Sequence, residues 1–162
     1  MIRRILAMCC VLSALAAATG CRESVHGEAE GDLPAVAASN SLLECAAVDL
    51  LGPGAPVLRL AEPGMCPGHF DVRPSQVAAL RRCRVLLRLD FQKSLDARLS
   101  RATDEGLQIV EIRPGGGLCE PRTYKAVCRQ TADALGRAGL LAPEKAEERL
   151  SRIFERVGRM SA

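Results

Sequence analysis

The chain has 162 residues and a formal net charge of +3, from 22 lysines and arginines against 19 aspartates and glutamates. Aromatic side chains are scarce, with three phenylalanines, one tyrosine and no tryptophan. The chain therefore lacks both the basic surface and the stacking platforms with which proteins bind nucleic acids. We expect no nucleic-acid partner, and a core built from leucine, valine and alanine.

The first 21 residues have the layout of an export signal that ends in a cysteine. Arg3 and Arg4 precede an apolar run over residues 5–18, and two small residues stand directly before Cys21. This order is typical of secretory signals, and its end, L-A-A-A-T-G-C, resembles the lipobox of bacterial lipoproteins, whose cysteine carries the lipid. The run is shorter than the roughly 18 apolar residues that indicate a transmembrane helix. We predict a signal peptide over residues 1–20 and lipidation at Cys21.

These features predict where the mature protein is found and how it is organised. The mature chain is expected to be extracytoplasmic and anchored by its lipid to the cell membrane, in the periplasm or on the outer cell surface. Residues 22–32 read R-E-S-V-H-G-E-A-E-G-D, and a polar stretch without apolar periodicity is typical of a flexible linker. We interpret residues 21–32 as lipidated cysteine and tether, residues 33–142 as one α/β domain, and residues 143–162 as an amphipathic connecting helix.

Within the domain, short apolar runs alternate with helical patterns. The predicted strands lie at residues 33–38, 56–60, 85–89 and 107–112. Four helices are predicted between and after these strands. The first begins at a cap among residues 39–41 and ends at Leu51, and the second begins at Pro74. The third extends over residues 92–102 and the fourth over residues 121–138. Strands that alternate with helices predict a short parallel sheet covered on both faces, with ligands bound beyond the carboxyl ends of the strands.

The last pattern is an amphipathic helix over residues 143–160. Its apolar positions fall on one stripe: Ala146, Leu150, Ile153, Phe154 and Val157. Such a stripe on an otherwise charged helix predicts a surface helix with one covered face. We expect this face to pack on its own domain, to mediate self-association, or to receive a separate second lobe.

Five of the eight cysteines follow the lipidation position: Cys45, Cys66, Cys83, Cys119 and Cys128. An odd number in a compartment that permits disulfides leaves at least one thiol without a partner in its own chain. Cys45, Cys83 and Cys128 lie within apolar patterns, so we expect them to be buried as small hydrophobic residues. Cys66 and Cys119 lie in loops rich in proline and glycine that follow predicted strands, and these two carry the chemical interest.

The first of these loops carries a family resemblance. Residues 62–80 read E-P-G-M-C-P-G-H-F-D-V-R-P-S-Q-V-A-A-L. This stretch resembles the N-terminal lobe of the solute-binding proteins of zinc and manganese ABC importers, in which a P-G-x-x-P-H-x-[FY]-x-x-x-P-[SRK]-[DQ] loop holds a metal-binding histidine. The gapless match puts Gly68 at the ligand position and His69 one residue later. The resemblance covers one lobe, residues 33–160, and does not include the second lobe that supplies the family's other ligands.

The residues themselves also indicate a metal site. Cys66-x-x-His69 and Cys119 offer thiolate and imidazole ligands, which suit zinc or copper(I) better than manganese. Asp71 or Glu120 would add an oxygen ligand. Two alternatives stay open: a Cys66–Cys119 disulfide that joins the two loops, and loop residues that bind nothing.

Taken with the resemblance, these residues imply a lipid-anchored receptor that captures a transition metal, zinc in the first place, for delivery to an ABC permease. One alternative is a single-lobe lipoprotein that does not transport, whose loops are joined by a disulfide and whose surface binds a protein. Another is a thiol redox or metal-storage module. We expect no enzyme, because two histidines, no C-x-x-C pair and no P-loop lysine leave the usual catalytic arrangements incomplete.

Overall fold

The computed structural model describes residues 34–99 and 106–160. The predicted signal peptide, the lipidation at Cys21 and the tether lie outside the described residues. Within the described ranges, strands alternate with helices along the chain, and two helices follow the last strand.

A parallel sheet of four strands forms the centre of the fold: β1 (Val36–Ala38), β2 (Val57–Arg59), β3 (Val85–Leu89) and β4 (Gln108–Ile112). Their spatial order is β2-β1-β3-β4. Val36 lies opposite both Val57 and Val85, and Leu89 lies opposite Ile112. Because β2 is on one side of β1 and β3 is on the other, the sheet has a topological switch point between β1 and β3, where α/β proteins tend to bind ligands.

In the described part of the chain, five α-helices accompany the sheet: α1 (Ser41–Leu51), α2 (Pro74–Leu80), α3 (Ser94–Arg98), α4 (Pro121–Arg137) and α5 (Pro143–Met160). Asn40 caps α1, because its side-chain oxygen accepts a hydrogen bond from the Leu43 N–H at 3.2 Å. Proline occupies the first turn of α2 and α4, where its missing N–H costs no helical hydrogen bond. The predicted starts of these helices are confirmed.

The third predicted helix is shorter than expected. Instead of a helix from residue 92, a 3₁₀ turn at Asp90–Gln92 follows β3, and α3 covers only Ser94–Arg98. At the start of this segment, the side-chain oxygen of Gln92 accepts a hydrogen bond from the Leu89 N–H at 2.8 Å, which holds residues 89–92 in a tight turn and delays the start of the helix. Local periodicity does not contain this contact, so the sequence places the start of the helix too early.

Helices cover both faces of the sheet, which confirms the predicted fold class. On one face, alternate strand residues such as Val36, Val85 and Leu87 pack with α1, α4 and α5. On the other face, Ala37 and Leu86 pack with residues of α2 and α3. The alternation follows from the two-residue period of a strand, which sends successive side chains to opposite faces.

Two of the three cysteines expected in the core are buried there, Cys83 and Cys128. Cys45 is exposed, so its predicted burial is wrong. The buried stripe of α1 consists of Leu43, Ala46, Ala47 and Leu50. Successive residues of a helix are about 100° apart, and Cys45 therefore points away from this stripe, toward the opposite side of the helix.

The amphipathic helix α5 packs on its own domain. Ile153 and Val157 are buried, and Leu150 and Phe154 are partly buried in the core shared with α1 and α4. Of the three roles expected for this stripe, the structure shows the first. Within residues 34–99 and 106–160, no helix combines the length and the apolar character needed to cross a bilayer.

Candidate functional site

Two loops lie at the carboxyl edge of the sheet. One follows β2 and covers residues 60–73, and the other follows β4 and covers residues 113–120. Because β2 and β4 are the outer strands of the order β2-β1-β3-β4, the loops flank the ends of β1 and β3 from opposite sides. The two loops therefore bracket the switch point of the sheet.

Between the two loops lies an open groove of about 730 Å³, the central groove. Residues from α1 and from both loops line it: Leu42, Cys45, Met65, Pro67, Leu118 and Cys119. The remaining wall comes from α4 and α5, through Tyr124, Arg156 and Val157. The groove is mainly apolar, and two exposed thiols, Cys45 and Cys119, open onto it.

A polar cluster closes one end of the central groove. The Tyr124 hydroxyl donates a hydrogen bond to Asp49 at 2.7 Å, and Arg156 pairs with the same carboxylate. Burial, followed by the hydrogen bond to Asp49, raises the pKa of Tyr124 well above its usual range. The phenol is thus held neutral, and the cluster joins α1, α4 and α5 behind the groove.

Cys66 and His69 are brought together by a pair of tight turns. The Met65 N–H donates to Glu62 O at 3.1 Å, and the His69 N–H donates to Cys66 O at 3.0 Å. Pro63 and Pro67 stand second in these turns, where their fixed φ is favourable. The Cys66 Sγ and His69 Nδ1 atoms are 3.7 Å apart, so the predicted Cys-x-x-His pair exists as a thiol beside an imidazole.

This contact sets the ionisation of the thiol. The hydrogen bond with His69, supported by the backbone N–H of Gly68, lowers the pKa of Cys66. Cys45 differs, because burial and the nearby Glu44 and Asp49 carboxylates raise its pKa. Burial raises the pKa of Cys83 to about 11 and that of Cys128 to about 12.

We therefore expect Cys66 to be alkylated by iodoacetamide before Cys45 at pH 7.5, because the thiolate is the reactive form and a lower pKa gives more of it. Peptide mass spectrometry after short reaction times measures the order. His69→Ala should shift the pH profile of Cys66 alkylation upward and leave that of Cys45 unchanged. Equal rates for the two thiols, or a profile of Cys66 that does not respond to the substitution, would contradict the contact.

The other predicted ligands are not gathered around this pair. Cys119 lines the central groove, whereas His69 and Asp71 line a second groove of about 560 Å³ on the side of α3. Cys66 and Cys119 are both free thiols. Across the described part of the chain, no three histidine, cysteine, aspartate or glutamate residues lie close enough together to hold a metal ion. The three-ligand site stays a prediction.

The two predicted oxygen ligands already have partners. Asp71 accepts a hydrogen bond from Arg98 at 2.8 Å. Glu120 accepts one from Arg122 at 2.6 Å and one from the Gly117 N–H at 3.3 Å. The contact with Arg122 lowers the pKa of Glu120, so its carboxylate is ionised. To bind a metal, this carboxylate would first have to leave Arg122.

The sequence did not indicate Gln92, a polar residue at this edge that is only 2% exposed. Its side-chain oxygen accepts hydrogen bonds from the Ser39 hydroxyl at 2.6 Å and from Leu89 N–H at 2.8 Å. Its side-chain nitrogen donates to Pro67 O at 2.5 Å, within the Cys66–His69 turn. A glutamine at the start of a predicted amphipathic helix reads as a surface residue, so no local signal marks it.

Comparison with known proteins gives a consistent result for the fold. The sequence matches no protein-family model and no curated protein. The structure resembles Zn(II)-bound AdcA from Streptococcus pneumoniae, with 14% identity, a TM-score of 0.62, and coverage of 76% of this chain and 30% of that one. The Zn(II)-bound ZnuA-like domain of AdcA is 12% identical, with a TM-score of 0.64, and the match covers 76% of this chain and 51% of that one.

A Mn-bound periplasmic metal binding protein from Candidatus Liberibacter asiaticus matches equally well. It is 14% identical, with a TM-score of 0.63, and the match covers 75% of this chain and 52% of that one. The chain thus spans about half the length of this protein and of the ZnuA-like domain, and less of whole AdcA. The predicted resemblance is confirmed at the level of the fold: the chain folds as periplasmic metal-binding proteins do over part of their length.

Proposed function

We propose that this protein is an extracytoplasmic receptor, anchored to the membrane through Cys21, that captures a transition metal and delivers it to an ABC permease. One observation carries the proposal: a thiol and an imidazole, Cys66 and His69, lie 3.7 Å apart at the carboxyl edge of a fold shared with periplasmic metal-binding proteins. The address and the tether rest on the N-terminal sequence alone.

The spacing of the pair suits zinc. Zinc binds sulfur at about 2.3 Å and imidazole nitrogen at about 2.0–2.1 Å in tetrahedral sites, which puts the two ligand atoms about 3.6 Å apart. The Sγ–Nδ1 distance of 3.7 Å is close to this value. The sulfur ligand also favours zinc or copper(I) over manganese, which prefers oxygen. We therefore propose zinc as the first metal, with copper(I) and manganese as competitors.

A third ligand would come from the opposite loop. Cys119 stands across the central groove from Met65 and Pro67, so it would reach the pair only if the loop after β4 moved. That loop contains three consecutive glycines, and Gly115 already has a φ of +71°, a conformation open to glycine at little cost. Asp71 and Glu120 are candidate oxygen ligands once they leave their arginines.

Zinc titration with thiol counting tests this proposal. We expect zinc to protect Cys66 and Cys119 from alkylation and a chelator to expose them again, whereas Cys45 stays reactive in both states and serves as the internal control. Manganese should protect neither thiol. If Cys66 and Cys119 are isolated as a disulfide, or if zinc leaves the alkylation of Cys66 unchanged, the metal receptor is the wrong function.

A second candidate, binding of a protein partner at the same edge, is favoured by the exposed apolar side chains. The large hydrophobic residues exposed in the described ranges are Met65, Phe91 and Met160, at 43%, 54% and 81%. Met65 and Met160 line the central groove, and Phe91 follows the carboxyl end of β3. Contiguous exposed apolar surface marks interaction sites, and of these three residues Met65 and Met160 share one apolar groove. It is compatible with a receptor that docks on a permease and with a lipoprotein that only binds proteins.

A further inference from the structure

A network of buried polar side chains is linked to the Cys66–His69 turn. The described residues include six buried polar or charged side chains: Ser39, Asn40, Arg88, Gln92, Thr123 and Thr131. Three of them form one connected chain. The Asn40 amide donates to the Ser39 hydroxyl at 3.2 Å, and that hydroxyl donates to the Gln92 oxygen at 2.6 Å.

The chain of hydrogen bonds ends in the turn. The Gln92 nitrogen donates to the carbonyl of Pro67, the residue directly after Cys66. The other end of this hydrogen-bond network lies at the N-terminus of α1, where the Asn40 side-chain oxygen accepts a hydrogen bond from the Leu43 N–H. The network thus joins the ends of β1 and β3 and the start of α1 to the loop that holds the thiol and the imidazole.

A hydrophobic side chain at position 92 would fill the same space without the cost of burying an amide, which is compensated only when every donor and acceptor is paired. Here the oxygen of Gln92 accepts two hydrogen bonds, and its nitrogen reaches out of the core to a single backbone atom of the turn. The arrangement resembles the outer-shell contacts that orient metal ligands in other proteins.

We propose that Gln92 is a positioning residue, which holds the Cys66–His69 turn in the conformation that binds metal. The proposal rests on the metal-receptor function given above. In this role, Gln92 affects the affinity for zinc although it contacts neither the metal nor the side chains that bind it. Gln92 acts through the Pro67 carbonyl, and the remainder of the network keeps Gln92 itself in place.

Gln92→Glu separates this role from general packing. The new side chain keeps an oxygen for Ser39 and Leu89, but at neutral pH it has no hydrogen to donate to Pro67. Ile153→Val serves as the control, because it disturbs the core at a distance from the turn. Ser39→Ala removes one contact of Gln92 on the strand side but keeps the donor to Pro67, so we expect it to weaken the turn less than Gln92→Glu does.

The parent chain and the variants, each full-length and in detergent, are compared in two ways. Amide hydrogen exchange is measured without metal, and zinc affinity is measured separately. We expect the His69 amide of the Gln92→Glu variant to exchange at least about tenfold faster and its zinc affinity to fall about 10- to 100-fold, the range for lost outer-shell contacts. The amides of β3 and the Ile153→Val variant should change little, and Ser39→Ala should fall between the parent and Gln92→Glu. At a pH low enough to protonate the introduced carboxyl group, exchange at His69 should return toward that of the parent at the same pH.

Two results would overturn the proposal: exchange at His69 that matches the parent, or faster exchange that leaves zinc affinity unchanged. If the parent chain itself binds no zinc, the receptor function is wrong. The exchange measurement then still decides whether Gln92 holds the turn, because it requires no metal.

Discussion

Replacing His69 by alanine is expected to weaken zinc binding by more than about 100-fold, since the loss of outer-shell contacts alone costs about 10- to 100-fold. The physical reason is that His69 supplies the imidazole whose Nδ1 lies 3.7 Å from the Cys66 sulfur. Without it, Cys66 is a single thiol in a solvent-exposed turn. Competition with a chromophoric zinc chelator measures the affinity.

The chain offers a matched control, because it contains only two histidines. His26→Ala removes the other one, which lies in the predicted tether, and should leave zinc affinity unchanged. Equal losses in the two variants would indicate non-specific binding by exposed side chains. Unchanged affinity in His69→Ala would show that the metal, if bound, is held elsewhere.

The largest expected effect on stability comes from Asp96→Ala, which should lower the free energy of unfolding by about 3 kcal/mol. Arg88 in β3 is only 4% exposed. Asp96 binds its guanidinium with two oxygens, at 2.6 and 2.7 Å. Removing this carboxylate leaves a buried cation with Glu111 as its remaining acidic partner, at 3.2 Å. Urea unfolding followed by circular dichroism measures the change.

Two further variants test this explanation. Asp71→Ala breaks an ion pair of similar length with Arg98, but both side chains are largely exposed, and such pairs contribute about 0–1 kcal/mol. Arg88→Met combined with Asp96→Ala removes the buried charge together with its partner and should recover much of the loss. If the double variant is less stable than Asp96→Ala alone, the unpaired charge is not the cause of the destabilisation.

The fold was accessible from local patterns because each element carries its own signal. Residues 85–89 are apolar except for Arg88 and form strand β3, and Pro74 and Pro121 mark the starts of α2 and α4. Both errors have local causes. Gln92 bonds to the N–H of Leu89, three residues before it, and delays the start of the third helix, and Cys45 faces away from the buried stripe of α1.

The candidate site was accessible only in part. The C-P-G-H sequence favours a tight turn, so the contact between Cys66 and His69 joins residues only three apart. The relation of this pair to Cys119 depends on two loops that are separated by residues 74–112. Both loops reach the carboxyl edge as predicted, yet His69 and Cys119 line different grooves, because β2 and β4 are the outermost strands of the sheet.

By itself, the sequence determined the alternation of strands and helices, the cysteine and histidine of one tight turn, and an N-terminal pattern typical of a lipoprotein signal. These features are local, since propensity, periodicity and turn chemistry act over a few residues. Only the tertiary structure decided the strand order, the separation of His69 from Cys119, and the buried network from Asn40 to Pro67. Each of these depends on contacts between segments far apart in the chain, which the packing of the whole sheet and its helices selects.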